Sequence, residues 1–375
     1  MKLGLEPEER ELRDEVRGFL AEHCPDPAEL PHDLDERIAY LRRWQARCHG
    51  AGYVGRAWPA EFGGGGRPTV EQIVVDQEMA AAGAPERVAI VGLDVLGPAI
   101  LAFGTDDQRS RYVAPILSAD ELWSQGFSEP EAGSDLASLR TSAVETEDGY
   151  VLNGQKTWVS WGQFSRWCGV LARTDPSVPK HKGISLLIVD TESPGVELRP
   201  MEQITGHAEF CELFLDDVLV RKTHLLGRPG QGWEIAMHVV AHERGTAALP
   251  RQVTLRTWLD RLVADATPVL EDEAVQATLA DALIEIEVLR HHATRTMSAF
   301  LNGGTVGPES SGVKLLMARA EQKLGLAALD VLGDAGAGEF WHERYLYSRA
   351  ASVYGGAQQI QRGIIADRVL SLPRG

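Results

Sequence analysis

The chain has 375 residues, and its 37 Lys and Arg against 54 Asp and Glu give a formal net charge of −17, the wrong sign for gripping nucleic acid or an anionic membrane. With 44% hydrophobic and 24% charged residues, it has the composition of a large enzyme with one big or roughly two to three ordinary domains. The four cysteines, Cys24, Cys48, Cys168 and Cys211, are scattered without CxxC spacing, so neither a disulfide framework nor a zinc site is expected, and a reducing compartment is the simplest reading.

The N-terminal MKLGLEPEER lacks the apolar core of a signal peptide. The most apolar long run, VAIVGLDVLGPAILAFG at 88–104, is broken by Asp94 and Pro98 and is too short to span a bilayer. A cytoplasmic protein is therefore expected. Residues 8–22 carry Leu12, Val16, Phe19 and Leu20 at helical spacing among charges, an amphipathic helix that Pro25, Pro27 and Pro31 end. Further helices are predicted near 35–50, 69–83 and 88–103, with WPAEFGGGG at 58–66 as a loop. The glycine run there reads as a flexible loop, because no GK[ST] follows to make a phosphate cradle.

Between about 121 and 220 the pattern changes to short β-branched and aromatic segments, GYVLNG, TWVSWG, CGVLART, ISLLIVD, GVELRP and CELFLDDVLV, separated by Gly, Pro, Asn and Asp. That alternation predicts an antiparallel β domain. Residues 231–266, 271–301, 311–332 and 344–370 are then long helical patterns with short connections, as in an antiparallel bundle. The expected fold is α+β multidomain: an N-terminal helical domain at 1–120, a middle β-barrel-like domain at 121–225 and a C-terminal four-helix bundle at 226–375.

Two stretches of the β domain carry chemistry. FSEPEAGSD at 127–135 places Ala132, Gly133 and Ser134 beside the hydroxyl of Ser128, and such a run lets backbone N–H groups approach an anion, although alone it serves equally as a plain turn. Trp158 and Ser160, two apart on a strand, share a face and offer an aromatic plane beside a hydroxyl. The pair suits an isoalloxazine ring and its N5. The two stretches, in this order, resemble the flavin signatures of the acyl-CoA dehydrogenase family. The resemblance continues through KGISLLIVDTESPGVELRP, the DDV at 216–218, HLLGRPGQGWEIAM and the terminal YGGAQQIQRGIIADRVLSLPR, and so covers nearly the whole chain.

The resemblance implies FAD as cofactor and the three-domain architecture given above. It implies dimers and tetramers, and an electron-transfer flavoprotein as acceptor. The reaction it implies is removal of the α-proton of an acyl-CoA thioester by a carboxylate while the β-hydrogen leaves as hydride to flavin N5, giving a trans-2-enoyl-CoA. It places Gln125, Phe127 and Ser128 at the flavin edge, Gly133 and Ser134 at the pyrophosphate, Trp158 and Ser160 over the ring and N5, and Gln359 on the cofactor from the last helix. Ser134, Arg244 and Gly355 are expected at the substrate. No metal is expected: adjacent His291 and His292 face different directions on a helix, without a carboxylate-histidine constellation.

The commonest family pattern carries its base in a C-terminal YEGT motif, and this chain reads Tyr354-Gly355-Gly356-Ala357. The usual Glu is replaced by Gly355. A minority of the family carries the Glu on the first bundle helix, immediately before an Arg, and AHERGT at 241–246 offers Glu243 before Arg244. Glu243 is therefore the expected base, and bare Gly355 leaves room for a branched or bulky acyl group. His242 does not share a helix face with it.

The usual RxxFG is absent from 250–300, and Asp330 stands where a QxFGGxG segment would begin. A carboxylate facing a pyrophosphate is unfavourable, so Asp330 is expected to point to solvent. A family branch with the same features contains members that act on bulky or sterol-derived acyl-CoA and members that pair with a related subunit, so a homo-oligomer and a heterotetramer both stand. Rival readings are an acyl group on a carrier protein, a flavin oxidase or monooxygenase of the same fold, and a non-catalytic partner subunit.

Overall fold

In the computed structural model the described residues are 6–26, 29–246, 248–302 and 307–373, and the side chains at 241–246, 300, 301, 334 and 335 stand outside the description. The helices are α1 (Pro7–His23), α2 (Leu34–Gly50), α3 (Thr69–Ala81), α4 (Gly97–Phe103), α5 (Asp106–Ser118), α6 (Gly232–Thr246), α7 (Ala248–Asp265), α8 (Glu273–Leu301), α9 (Ser310–Ser348) and α10 (Gln358–Ile364). The strands are β1 (Trp123–Gly126), β2 (Ser142–Glu145), β3 (Gly149–Ser160), β4 (Trp167–Arg173), β5 (Ile184–Asp190), β6 (Val196–Met201), β7 (Phe210–Arg221) and β8 (Leu225–Leu226). The chain forms two compact units, one of Met1–Pro27, Thr69–Ala84 and Glu243–Gly375, the other of Ala28–Pro68 and Pro85–His242. The helices of the first 120 residues are thus divided between the units.

The first unit is helical. α1 starts on a capping box between Glu6 and Glu9 and buries Leu12, Val16 and Leu20, the stripe that the 3.6-residue spacing predicts. The core of the unit runs from Leu255, Leu259 and Leu262 on α7 through Ile286 and Leu289 on α8 to Leu324, Ala328 and Trp341 on α9. α9 departs from helical geometry at Gly333 and Gly338, with φ of 68° and 60°. The expected single helix over 344–370 is broken. α9 ends at Ser348, a 3-10 turn Arg349–Ser352 follows, and Gly355 and Gly356 take φ of 62° and 100° before α10 begins. Left-handed glycines end a helix, and two in succession force the chain to turn.

The second unit is built on an eight-stranded sheet of order β6-β7-β3-β2-β4-β5-β8, with β1 added beside β4. Its long pairs are antiparallel, as expected, but β1 runs parallel to β4 and β2 meets β4 in parallel at Ser142 and Arg173. Leu152, Val159, Val170, Leu187, Val189, Leu213 and Val218 fill its interior. α5, which periodicity left unassigned, starts on a capping box between Thr105 and Gln108 and carries Pro115 inside it. The Gln108 side chain donates to the carbonyls of Thr223 and Leu225, 2.9 Å each, tying α5 to the sheet. The 63–66 glycine run is packed rather than free: Gly64, Gly65 and Gly66 donate their N–H groups to Pro59, Gly55 and Trp58 carbonyls.

Candidate functional site

The loop that follows β1 is fixed from below by a buried ion pair that periodicity did not single out. Glu129 (7% exposed) accepts the backbone N–H groups of Arg140 at 2.6 Å and Thr141 at 2.8 Å, together with the Nζ of Lys156 at 2.7 Å. Lys156, fully buried on β3, also donates to the Phe127 carbonyl at 3.2 Å. Burial pushes the Lys156 ammonium down to about 8, against the pull of Glu129. Burial also works to raise the Glu129 carboxyl, but the Lys156 charge and the donated hydrogen bonds outweigh it and hold the group below its ordinary range. At neutral pH both partners are charged. The signal in the sequence was a lysine at an inward position of β3, between Leu152 and Val159.

Above this pair the loop closes on itself, with Glu129 and Ala132 exchanging backbone hydrogen bonds of 3.1 and 3.0 Å. The Ser128 carbonyl accepts the N–H of Thr157 at 3.0 Å, which lays the loop along β3. Gly133 and Ser134 are exposed on the far side of the closure. A Cβ built on Gly133 would meet nothing within 4 Å, so its bare backbone faces open space.

At this point β3 carries a bulge. Lys156 pairs with Leu213 and Val159 with Cys211, so Thr157 and Trp158 together stand opposite Glu212 alone. Trp158 takes φ of 59°, and its ring is 57% exposed, touched edge-on by Phe210 at 5.8 Å between centroids. Trp158 and Ser160 flank buried Val159 and leave it on the opposite face, as two-residue alternation predicts. Gln125 lies half-buried on β1 and Phe127 is buried beside Lys156. The fold therefore gathers Gln125, Phe127 and Ser128 with Trp158 and Ser160, and puts Gly133 and Ser134 on the same loop. An outward aromatic plane, hydroxyls and open backbone fit a planar ring with a charged tail, as in FAD.

The other expected site residues belong to the helical segments. Glu243 and Arg244 lie on α6, and their side chains stand outside the described residues, as does that of His242. Gly355 sits in the left-handed turn and Gln359 is exposed in the first turn of α10. Asp330 is exposed, as expected. Among the described residues no cluster of His, Cys, Asp and Glu could hold a metal ion, and no helix is long and apolar enough to cross a membrane. All four cysteines are free. A groove of about 650 Å³ lies along Arg261, Asp265, Val331, Gly336, Phe340 and Trp341 in the helical unit; it contains none of these site residues.

Sequence models of the acyl-CoA dehydrogenase N-terminal, middle and C-terminal domains match residues 6–120, 124–218 and 230–370. The chain belongs to the acyl-CoA dehydrogenase family. It is 41% identical to the acyl-CoA dehydrogenase IpdE1 of Mycobacterium tuberculosis over 379 residues, covering 97% of this chain and 98% of that protein. Among solved structures it resembles the Tcur3481-Tcur3483 steroid ACAD, with a TM-score of 0.88 at 28% identity over 100% of both chains. It also resembles a chain of the ChsE4-ChsE5 complex from Mycobacterium tuberculosis, with a TM-score of 0.81 at 29% identity over 100% of both.

Proposed function

We propose that the chain binds FAD at the loop 127–134 and β3 and desaturates a bulky, sterol-derived acyl-CoA to the trans-2-enoyl-CoA. The observation that carries this reading is the exposed, bulge-borne Trp158 beside a loop pinned by the buried Glu129 and Lys156. In this reading Gln125, Phe127 and Ser128 border the flavin, Gly133 and Ser134 meet its pyrophosphate, Trp158 and Ser160 cover the ring, and Gln359 contributes from α10. FAD, when bound, supplies the acceptor for the β-hydrogen as hydride.

The α-C–H of a thioester is a very weak acid, so the protein must polarise the carbonyl, exclude water and place a base of suitable pKa. Glu243 takes the α-proton, with Arg244 and Ser134 at the substrate. Gly355, without a side chain, leaves the space that a branched acyl group needs. The steroid substrate class is supported by the likeness to the Tcur3481-Tcur3483 steroid ACAD. Removing a general base costs about 10²- to 10⁴-fold, so Glu243→Gln should keep its flavin and lose at least about a hundredfold in flavin reduction by acyl-CoA. A variant that keeps more than about a tenth of wild-type turnover overturns Glu243 as the base.

A second reading concerns assembly. The similar solved structures include two-subunit complexes, which favours pairing of this chain with a related subunit over a homo-oligomer; reduced flavin would then pass electrons to an electron-transfer flavoprotein. The flavin-to-chain ratio of the protein purified alone decides it: near one for a self-sufficient homo-oligomer, near zero for a chain that needs its partner.

A further inference from the structure

The chain between the 3-10 turn Arg349–Ser352 and α10 reverses on Gly355 and Gly356, whose φ values are 62° and 100°. Glycine alone suffices to make such a turn. This one is also surrounded by buried polar groups, each costly to desolvate unless it is partnered. Glu321 (4% exposed) accepts the Nε of Arg251 at 2.6 Å and the hydroxyl of Tyr354 at 3.3 Å. Buried Lys314 donates from Nζ to the Ala351 carbonyl at 2.8 Å and lies 4.0 Å from the centroid of the Tyr354 ring. From the other side, the fully buried Gln361 donates its Nε2 to the carbonyls of Gly355 and Gly356, 3.2 Å each. Tyr354 is 37% exposed as a residue, but its hydroxyl end lies inward against Glu321; burial of that end and then the Glu321 charge push the phenol up, so the hydroxyl remains a donor.

Two consecutive glycines have more backbone freedom than any other pair; here Gln361 of α10 holds both of their carbonyls, while side chains of α7 and α9 hold Ala351 and Tyr354 just before them. A surface turn whose only task is to join two helices has no use for a buried carboxylate and a buried ammonium beside the residues that lead into it, the carboxylate paired with a half-buried guanidinium. A turn whose position matters to a ligand does. We infer that Gln361, bonded to both glycine carbonyls, and Arg251, Glu321, Lys314 and Tyr354, which fix the residues just before them, form a clamp that holds the 355–356 backbone as a rigid wall of the acyl site, with Tyr354 as a positioning residue acting through its hydroxyl. The ligand in this inference rests on the dehydrogenase reading above; the clamp rests on the distances alone.

Tyr354→Phe keeps the ring beneath Lys314 and removes one hydrogen bond, so the fold should survive. In the flavin-loaded protein, amide exchange over 353–357 should accelerate about tenfold, as for loss of a local anchor. The KM for a bulky, sterol-derived acyl-CoA should rise about fivefold with kcat within about twofold, the split expected when binding geometry is lost and chemistry is not. Unchanged exchange overturns the clamp even if the enzyme is active. Faster exchange with unchanged KM overturns the wall and leaves a purely structural anchor. A wild-type protein that reduces its flavin with no acyl-CoA overturns the ligand assignment, and with it the wall, while the exchange result still reads the clamp separately.

Discussion

Two short segments of this protein, 133–134 in the sheet unit and 355–356 in the helical unit, carry little or no side chain, and each lies next to a residue tied to a buried carboxylate, Ala132 to the backbone of Glu129 and Tyr354 to the side chain of Glu321. The means differ. Glu129 takes two backbone N–H groups and one ammonium, from Lys156 27 residues away. Glu321 takes its donors from side chains, Arg251 at a separation of 70 residues and Tyr354 at 33. A carboxylate fixed by main-chain donors keeps its place when a neighbouring side chain changes; one fixed by side chains depends on each of them. The loop at 127–134 should therefore be the harder of the two to disturb by a light substitution, and the costlier when its counter-charge is removed.

The largest effect expected of that contrast is on Lys156→Met. It strands the buried Glu129 charge, and breaking a buried pair from one side costs about 3–5 kcal/mol. The urea midpoint should fall accordingly and the flavin content with it. The double variant Glu129→Gln/Lys156→Met removes both charges and should recover part of the loss; no recovery would mean that Lys156 acts by filling space.

How much of this was legible depends on the range of the interaction. The stretches that resemble flavin signatures, 127–135 and 158–160, are each contiguous, so the resemblance could be read directly. GYVLNG and TWVSWG read as two segments because Asn153 and Gly154 resemble a turn, yet β3 runs straight through. Asn153 and Asp217 hold each other by two 2.9 Å hydrogen bonds at an irregularity in the β3–β7 register, and a Cβ on Gly154 would lie 2.5 Å from Thr141 Oγ1. The glycine is there for close approach of β2, a contact that no local pattern announces. The expectation of a base at Glu243 rests on a substitution alone: Gly355 stands where the usual carboxylate would be, and a Glu precedes Arg244 in a second place. The Glu321 clamp could not be read at all, because periodicity says which face of a helix is buried and not which residue of another helix meets it.

Acid sharpens the same contrast by a smaller amount. The Glu129 carboxyl titrates below its ordinary 4.5 in the folded chain, so below that pH the unfolded chain binds the proton first and stability falls as pH falls. Between pH 6 and 4, where Lys156 stays charged in the wild type, the wild type should then lose stability relative to the double variant Glu129→Gln/Lys156→Met, which carries neither charge, as the pH falls through 4.5, by at most about 1.4 kcal/mol per pH unit for one proton. Urea titrations of both proteins at pH 6 and pH 4 measure it. A difference that does not change would show that Lys156 fails to hold the carboxylate charged.

The smallest effect on stability, and the most informative about the site, belongs to Trp158. A non-glycine residue at φ of 59° is strained, by about 1 kcal/mol, and a ring left 57% exposed returns little of the free energy that burying it would give. The fold gains almost nothing from an indole there: among the described residues its aromatic neighbour is Phe210, which touches it by an edge at 5.8 Å. A residue that costs strain and buries little is placed for something outside the chain. Trp158→Ala should therefore shift the unfolding free energy by no more than about 1 kcal/mol while lowering the flavin retained through gel filtration several-fold. Trp158→Gly, which also relieves the left-handed strain, should be the more stable of the two variants and bind flavin no better. If either variant unfolds much earlier than wild type, the indole supports the sheet; if both keep their full flavin, the loop at 127–134 holds the cofactor without it.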